Sequence, residues 1–166
     1  MDVISTLETM FPSITYRAGK SFSWSPETRE VFYDESKPAQ SRVWSLLHET
    51  GHALLDHNCY DADLELIKLE IAAWEKAKEI ALQLDMKIDE DHIQDCLDTY
   101  RDWVYQRSVC PTCNNKSLQQ ENIEHYQCFN CHTTWRVTPS RFCRAYRARK
   151  QPTKKPSVVF YATDGF

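Results

Sequence analysis

His48-Glu49-Thr50-Gly51-His52 sets two imidazoles four residues apart, with a carboxylate directly after the first. On a helix, residues i and i+4 lie on one face a turn apart, so both rings reach a single metal ion. Glu49 then stands beside the metal, where it can take a proton from a bound water. The chemistry on offer is metal-assisted hydrolysis. It requires a helix beneath the two histidines, a third ligand from another element, and an open fourth position for water or substrate.

The elements that must position these residues are readable from periodicity. Residues 39–56 predict a helix entered after Lys37-Pro38, with Val43, Trp44, Leu47, Leu54 and Leu55 as its apolar residues. A second helix is predicted over about residues 63–84 and a third over about 89–107, the third with Ile93, Leu97, Tyr100 and Val104 on one face. Ahead of them, residues 21–25 and 30–34 read as two strands of a hairpin turned at Pro26.

The second helix supplies the third ligand. After His57 no histidine occurs until His92, so a downstream glutamate is the natural candidate. Leu66, Glu70, Ala73, Ala77, Ile80 and Leu84 follow steps of three or four and share one face. Glu70 thus sits in an apolar stripe, where a carboxylate costs several kcal/mol unless it is paired or holds a metal. Glu75 and Glu79 fall on the Lys-rich side with Lys68, Lys76 and Lys78, and Glu65 lies near the helix start, where the dipole favours an acid. Helical phase therefore selects His48, His52 and Glu70 as zinc ligands, with Glu49 as general base.

A second ligand set lies downstream. Cys110-Pro111-Thr112-Cys113 and Cys128-Phe129-Asn130-Cys131 are two CxxC knuckles separated by 14 residues. Four thiolates at such spacing make a closed tetrahedral site, so Cys110, Cys113, Cys128 and Cys131 are expected to hold a structural zinc, giving two Zn2+ per chain. Ser117-Leu118, residues 125–127 and Trp135-Arg136-Val137 suit the short strands of a zinc ribbon. Cys59, Cys96 and Cys143 are read as reduced and structural.

His48-Glu49-Thr50-Gly51-His52-Ala53-Leu54-Leu55-Asp56-His57, followed by Glu70-Ile71-Ala72-Ala73 and Ala77, resembles the gluzincin metallopeptidases. It is most similar to the ImmA/IrrE-like group and the minigluzincins, which share an HExGH helix and a later ExxA helix. The likeness spans roughly residues 20–85. It implies zinc held by the residues matching His48, His52 and Glu70, a base matching Glu49, and hydrolysis of peptide bonds through a zinc-bound water. Related gluzincins often carry Asp or Asn four residues after the ligand glutamate, orienting a ligand histidine; here that position is Trp74. A backbone carbonyl is then expected to orient His48. His57 resembles a histidine that often follows the motif and is read as structural. Tyr60, His92, Tyr100 and Tyr105 are available to stabilise an oxyanion, and nothing in the sequence selects one.

The outer bounds agree. At 166 residues the chain suits one domain of about 100–150 residues with an appendage. Hydrophobic residues make up 42% and only three are glycine, which fits a helix-rich core. No apolar run approaches the roughly 20 residues of a membrane span, and the start Met1-Asp2-Val3-Ile4-Ser5 lacks a basic segment followed by an apolar one. Seven cysteines, four of them in CxxC pairs, read as metal binding in a reducing compartment, so the expected location is cytoplasmic. Residues 1–109 hold 11 Lys/Arg against 21 Asp/Glu, and residues 110–166 hold 9 against 3, so the charge changes sign at the first CxxC.

These readings give an α+β fold: a small β-sheet packed on the HExxH helix and two further helices, then a small β zinc ribbon. The expected division is 1–108 for the zincin-like unit, 109–146 for the ribbon, and 147–166 for a basic linker with an apolar strand-like end. The expected function is a zinc-dependent endopeptidase acting on a protein or peptide substrate. Arg141, Arg144, Arg147, Arg149, Lys150, Lys154 and Lys155, interleaved with Trp135, Phe142 and Tyr146, suit a nucleic-acid partner; docking on the acidic half of the chain would use the same charges. The contrasting reading is a non-catalytic nucleic-acid- or protein-binding ribbon on an inactive peptidase scaffold. Residues 157–166 could add an edge strand or lie in the cleft and restrain activity. No membrane partner is expected, and oligomeric state is not legible.

Overall fold

The computed structural model describes residues 2–119 and 124–138, and the backbone of 147–149. The chain opens with α1 (Val3–Met10), whose first turn is capped by Asp2 accepting from the Ile4 amide at 3.4 Å. Strands β1 (Thr15–Ala18), β2 (Ser23–Ser25) and β3 (Glu30–Tyr33) follow. They form a sheet in the order β1-β3-β2, with β1 parallel and β2 antiparallel to β3. The predicted hairpin is thus present as β2 and β3, while α1 and the parallel partner β1 are additions to it.

Helices α2 (Ala39–Leu54), α3 (Asp63–Gln83) and α4 (Glu90–Ser108) match the three predicted from periodicity to within two residues at each end. Asp89 caps α4, accepting from the Asp91 amide at 3.2 Å. One apolar core joins the sheet to the helices: Leu7, Tyr16 and Val31 pack with Leu46 and Leu47 of α2, Trp74, Ala77 and Ile80 of α3, and Ile93 and Leu97 of α4. Leu54 and Leu55, read as part of that apolar set, are instead exposed at the end of α2. On α4 the buried set is Ile93, Leu97, Trp103 and Arg107, while Tyr100 and Val104 are only half-buried.

Gly51 is where α2 and α3 cross. A Cβ at this position would overlap the Ala73 carbonyl oxygen, a backbone atom that cannot step aside. Gly51→Ala is therefore expected to destabilise by about 1–3 kcal/mol through overpacking, outweighing the roughly 1 kcal/mol that alanine gains in a helix. Denaturant unfolding of the two proteins checks the sign; a more stable variant would mean that the crossing is looser than described.

After α4 the chain forms a second sheet from β4 (Leu118–Gln119), β5 (His125–Gln127), β6 (Thr134–Val137) and β7 (Arg147–Arg149), antiparallel throughout in that order. Its core is Cys110, Tyr126, Cys128, Trp135 and Val137. The fold is therefore α+β with a β zinc-ribbon-like module after the helices. Arg147–Arg149, the first part of the stretch read as linker-like, pairs with β6 as a fourth strand. Arg141, Phe142, Cys143, Arg144, Tyr146, Lys150, Lys154, Lys155 and residues 157–166 lie outside the described residues, as do the side chains of Arg147 and Arg149. No helix among the described residues is long and apolar enough to cross a membrane.

Candidate metal centres

Two ligand clusters exist among the described residues, and they are the two anticipated from spacing: His48, His52 and Glu70, and the four cysteines 110, 113, 128 and 131. In the first, α2 presents both histidines toward α3. His48 Nε2 stands 3.1 Å from His52 Nε2 and 3.1 Å from Glu70 Oε2, and His52 Nε2 is 3.7 Å from Glu70 Oε1. Two nitrogens about 2.0–2.1 Å from one tetrahedral zinc would stand roughly 3.3 Å apart, so these separations fit a shared ion. The donor set fits too: two imidazole nitrogens and one carboxylate oxygen leave a fourth position open.

The electrostatics follow from burial. Glu70 is 5% exposed. Desolvation pushes its carboxyl upward, but hydrogen bonds and charge from His48 and His52 outweigh this and hold the pKa at about 2. Glu49 behaves in the opposite way: burial raises its pKa, opposed by His48 and His52, while the Trp24 backbone amide on β2 donates to it. The Glu70 carboxylate is thus kept ionised, and the Glu49 carboxyl is made more basic than an ordinary glutamate. Glu65, Glu75 and Glu79 take the places that helical phase assigned them. Glu65 accepts from the Asp61 amide at 2.9 Å, Lys78 meets Glu75 at 2.7 Å, and Lys76 meets Glu79 at 2.5 Å.

Support for His48 differs from the expectation of a backbone carbonyl. Its Nδ1 is buried without a hydrogen-bond partner among the described residues. What orients the ring is Trp74, one turn after Glu70, whose indole stacks on the imidazole at 4.2 Å and 28°. The residue that looked like a misfit is a packing wall. Of the four oxyanion candidates, His92 lies 4.9 Å from Trp44, the α2 residue one turn before His48, and edge-on to Trp74 at 5.7 Å. Tyr105 instead faces the ribbon, with Lys116 Nζ 4.3 Å from its ring centroid.

The cysteine site is built from two matching knuckles. Asn114 donates its amide to the Cys110 carbonyl at 3.0 Å, and His132 does the same to Cys128 at 3.0 Å. Each of these residues has a left-handed backbone, φ 59° and 58°, which turns the chain back so that both thiols of a knuckle point inward. Cys110 Sγ lies 3.6 Å from Cys131 Sγ, and Cys113 Sγ lies 3.5 Å from Cys128 Sγ. Four sulfurs about 2.3 Å from one tetrahedral zinc would be roughly 3.8 Å apart, so the set fits a closed site. The Cys131 backbone amide leads in pulling the Cys128 thiol down to about 6, against burial; the thiolate is the form that binds metal.

Sequence reasoning missed the seam between the two parts. Asp63, the first residue of α3, is 1% exposed, and Arg107 near the end of α4 is fully buried. Arg107 Nε donates to Asp63 Oδ2 at 2.8 Å, and the Tyr126 hydroxyl on β5 donates to the same oxygen. Arg107 also donates to the Thr138 carbonyl, and its own carbonyl accepts from the Trp135 indole at 3.0 Å. The ribbon is thereby fastened to the helix that carries Glu70. The signal was available in phase: Asp63 is three residues before Leu66 and Arg107 three after Val104, so both extend apolar stripes.

A helix pair that converges two histidines and a glutamate, with a second carboxyl beside them, defines a metallopeptidase-like scaffold. Residues 6–100 match the peptidase family model described as the IrrE N-terminal-like domain, and the chain belongs to that family. Neither the curated proteins nor the solved structures give a match to this chain.

Proposed function

We propose that the chain is a zinc-dependent endopeptidase acting on a protein substrate. The observation that carries this reading is the convergence of His48 Nε2, His52 Nε2 and the Glu70 carboxylate within 4.8 Å of one another, in a chain of a peptidase family. A zinc ion bound there supplies an acidified water and an electrophile for the scissile carbonyl. Glu70 brings the negative charge that makes the donor set neutralise a dication in part. Glu49, raised in basicity by burial, takes the proton of the attacking water and returns it to the leaving amine.

The four ribbon cysteines hold a second, structural zinc in this reading, and the ribbon directs the peptidase to its target. The excess of 9 Lys/Arg over 3 Asp/Glu in residues 110–166 favours an acidic partner, nucleic acid among them. Binding should then weaken steeply with salt.

The zinc-loaded full chain is expected to contain two ions and to generate new peptide N termini in a proteome-derived peptide library, with cleavage lost on chelation and regained with zinc. One ion per chain, held by the cysteines, would remove the catalytic proposal. Two ions with no cleavage would leave a metal-binding scaffold.

A further inference from the structure

His57 lies just past the end of α2, and local backbone chemistry brings it back onto the metal cluster. The helix ends at Leu54, and Asp56 adopts a left-handed backbone, φ 52°. The Asp56 amide then donates to the Ala53 carbonyl at 3.3 Å and the His57 amide to the His52 carbonyl at 3.0 Å. These are the two bonds of a Schellman motif, so the position of His57 relative to His52 is fixed by the way the helix stops. From the other side the Trp24 indole donates to the His57 carbonyl at 2.9 Å.

The result is a contact between two ring nitrogens, His52 Nδ1 and His57 Nδ1, at 2.8 Å, with the rings edge-on at 71°. A contact this short between imidazoles needs one proton between them. If His57 donates, His52 is left with its proton on Nε2, the atom that faces His48 and Glu70 and would have to bind metal. If His52 donates from Nδ1, its Nε2 lone pair is free for the ion. We propose that His57 is a positioning residue for the metal centre: its unprotonated Nδ1 accepts the His52 Nδ1 proton and so fixes the ligand tautomer and ring orientation of His52. This rests on the zinc reading of the His48–His52–Glu70 cluster and adds to it a partner for the second ligand. Trp24 and the Schellman turn hold that partner in place.

The test uses the full chain with its cysteine site filled first. Zinc affinity at the remaining site is measured by chelator competition for wild type, His57→Leu and His57→Asn. Leucine fills the space without an acceptor, whereas the asparagine carbonyl oxygen takes nearly the place of Nδ1. His57→Leu is expected to bind zinc about 10–100-fold more weakly, and His57→Asn to recover most of the loss. A purely structural role would not make the loss depend on an acceptor atom. Nitrogen-15 spectra of wild type loaded with zinc give a second readout, which needs no variant to fold: His52 Nδ1 should carry a proton and His57 Nδ1 should not. A proton on His57 Nδ1 in the loaded protein, wild-type affinity in His57→Leu, or no zinc at His52 would each overturn the proposal. The peptidase reading can fail separately: a chain that cleaves nothing yet shows this dependence keeps His57 as the positioning residue. Cleavage with wild-type zinc affinity in His57→Leu does the reverse.

Discussion

Glu49→Gln should bind two zinc ions as wild type does, keep its stability, and lose cleavage by about 100–10,000-fold, the usual contribution of a positioned proton-transfer group. The separation of these effects makes the variant informative. His48 and Glu70 face each other at 3.1 Å, so replacing either removes the site and the activity together and says nothing about the base. Glu49 lies outside that cluster. Glutamine has the same size as glutamate and keeps a carbonyl oxygen that can accept a hydrogen bond. Burial already disfavours the ionised form of Glu49, so a neutral amide in its place costs no additional desolvation. Initial rates on one substrate, zinc content and denaturation midpoints of the two proteins check the three parts. Unchanged cleavage would remove Glu49 as the base; a loss of zinc would make it a ligand or a support for one.

The helical half was legible because its signals are periodic. The apolar positions of α2, α3 and α4 repeat over 16, 21 and 19 residues, long enough for phase to separate Glu70 from Glu75 and Glu79, although the buried face of α4 turns from Tyr100 and Val104 to Trp103 and Arg107. The two CxxC knuckles were legible because their ligand spacing is fixed by backbone geometry. What escaped was short or depended on tertiary pairing. Helix α1 has only eight residues, and β1 has four and gains its identity by lying parallel to β3, a pairing no local pattern announces. Trp74 looked wrong because a hydrogen-bonding residue was expected there, whereas aromatic stacking on His48 does the orienting. His57 could be placed near the motif by sequence, but its contact with His52 depends on Asp56 taking a left-handed backbone, a conformation more often left to glycine. Asp63 and Arg107 escaped because charge argues for exposure, and each is buried only because the other is there.

That pair should be among the most sensitive points of the molecule. Asp63→Ala removes the carboxylate facing a fully buried guanidinium and, with it, the acceptor for the Tyr126 hydroxyl. Breaking a buried pair from one side leaves an uncompensated charge and costs about 3–5 kcal/mol, a large share of the roughly 5–15 kcal/mol that holds a domain together. The damage should spread along the seam. Arg107 also bonds the Thr138 carbonyl, and Trp135 donates to the Arg107 carbonyl, so displacing the arginine loosens the ribbon as well as the start of α3. Asp63→Asn keeps an acceptor and gives up only the charge, so it should be affected less. Asp63→Leu with Arg107→Met replaces both charges by apolar groups and should recover part of the loss, since an apolar pair avoids the desolvation cost. Denaturant unfolding of the zinc-saturated proteins, with hydrogen exchange at Trp135 and Tyr126, measures both the stability and where it goes. A double variant as unstable as Asp63→Ala would mean that the pair acts through its directional hydrogen bonds more than through its charge. An Asp63→Ala protein as stable as wild type would mean that the ribbon is held to α3 and α4 by its apolar core alone.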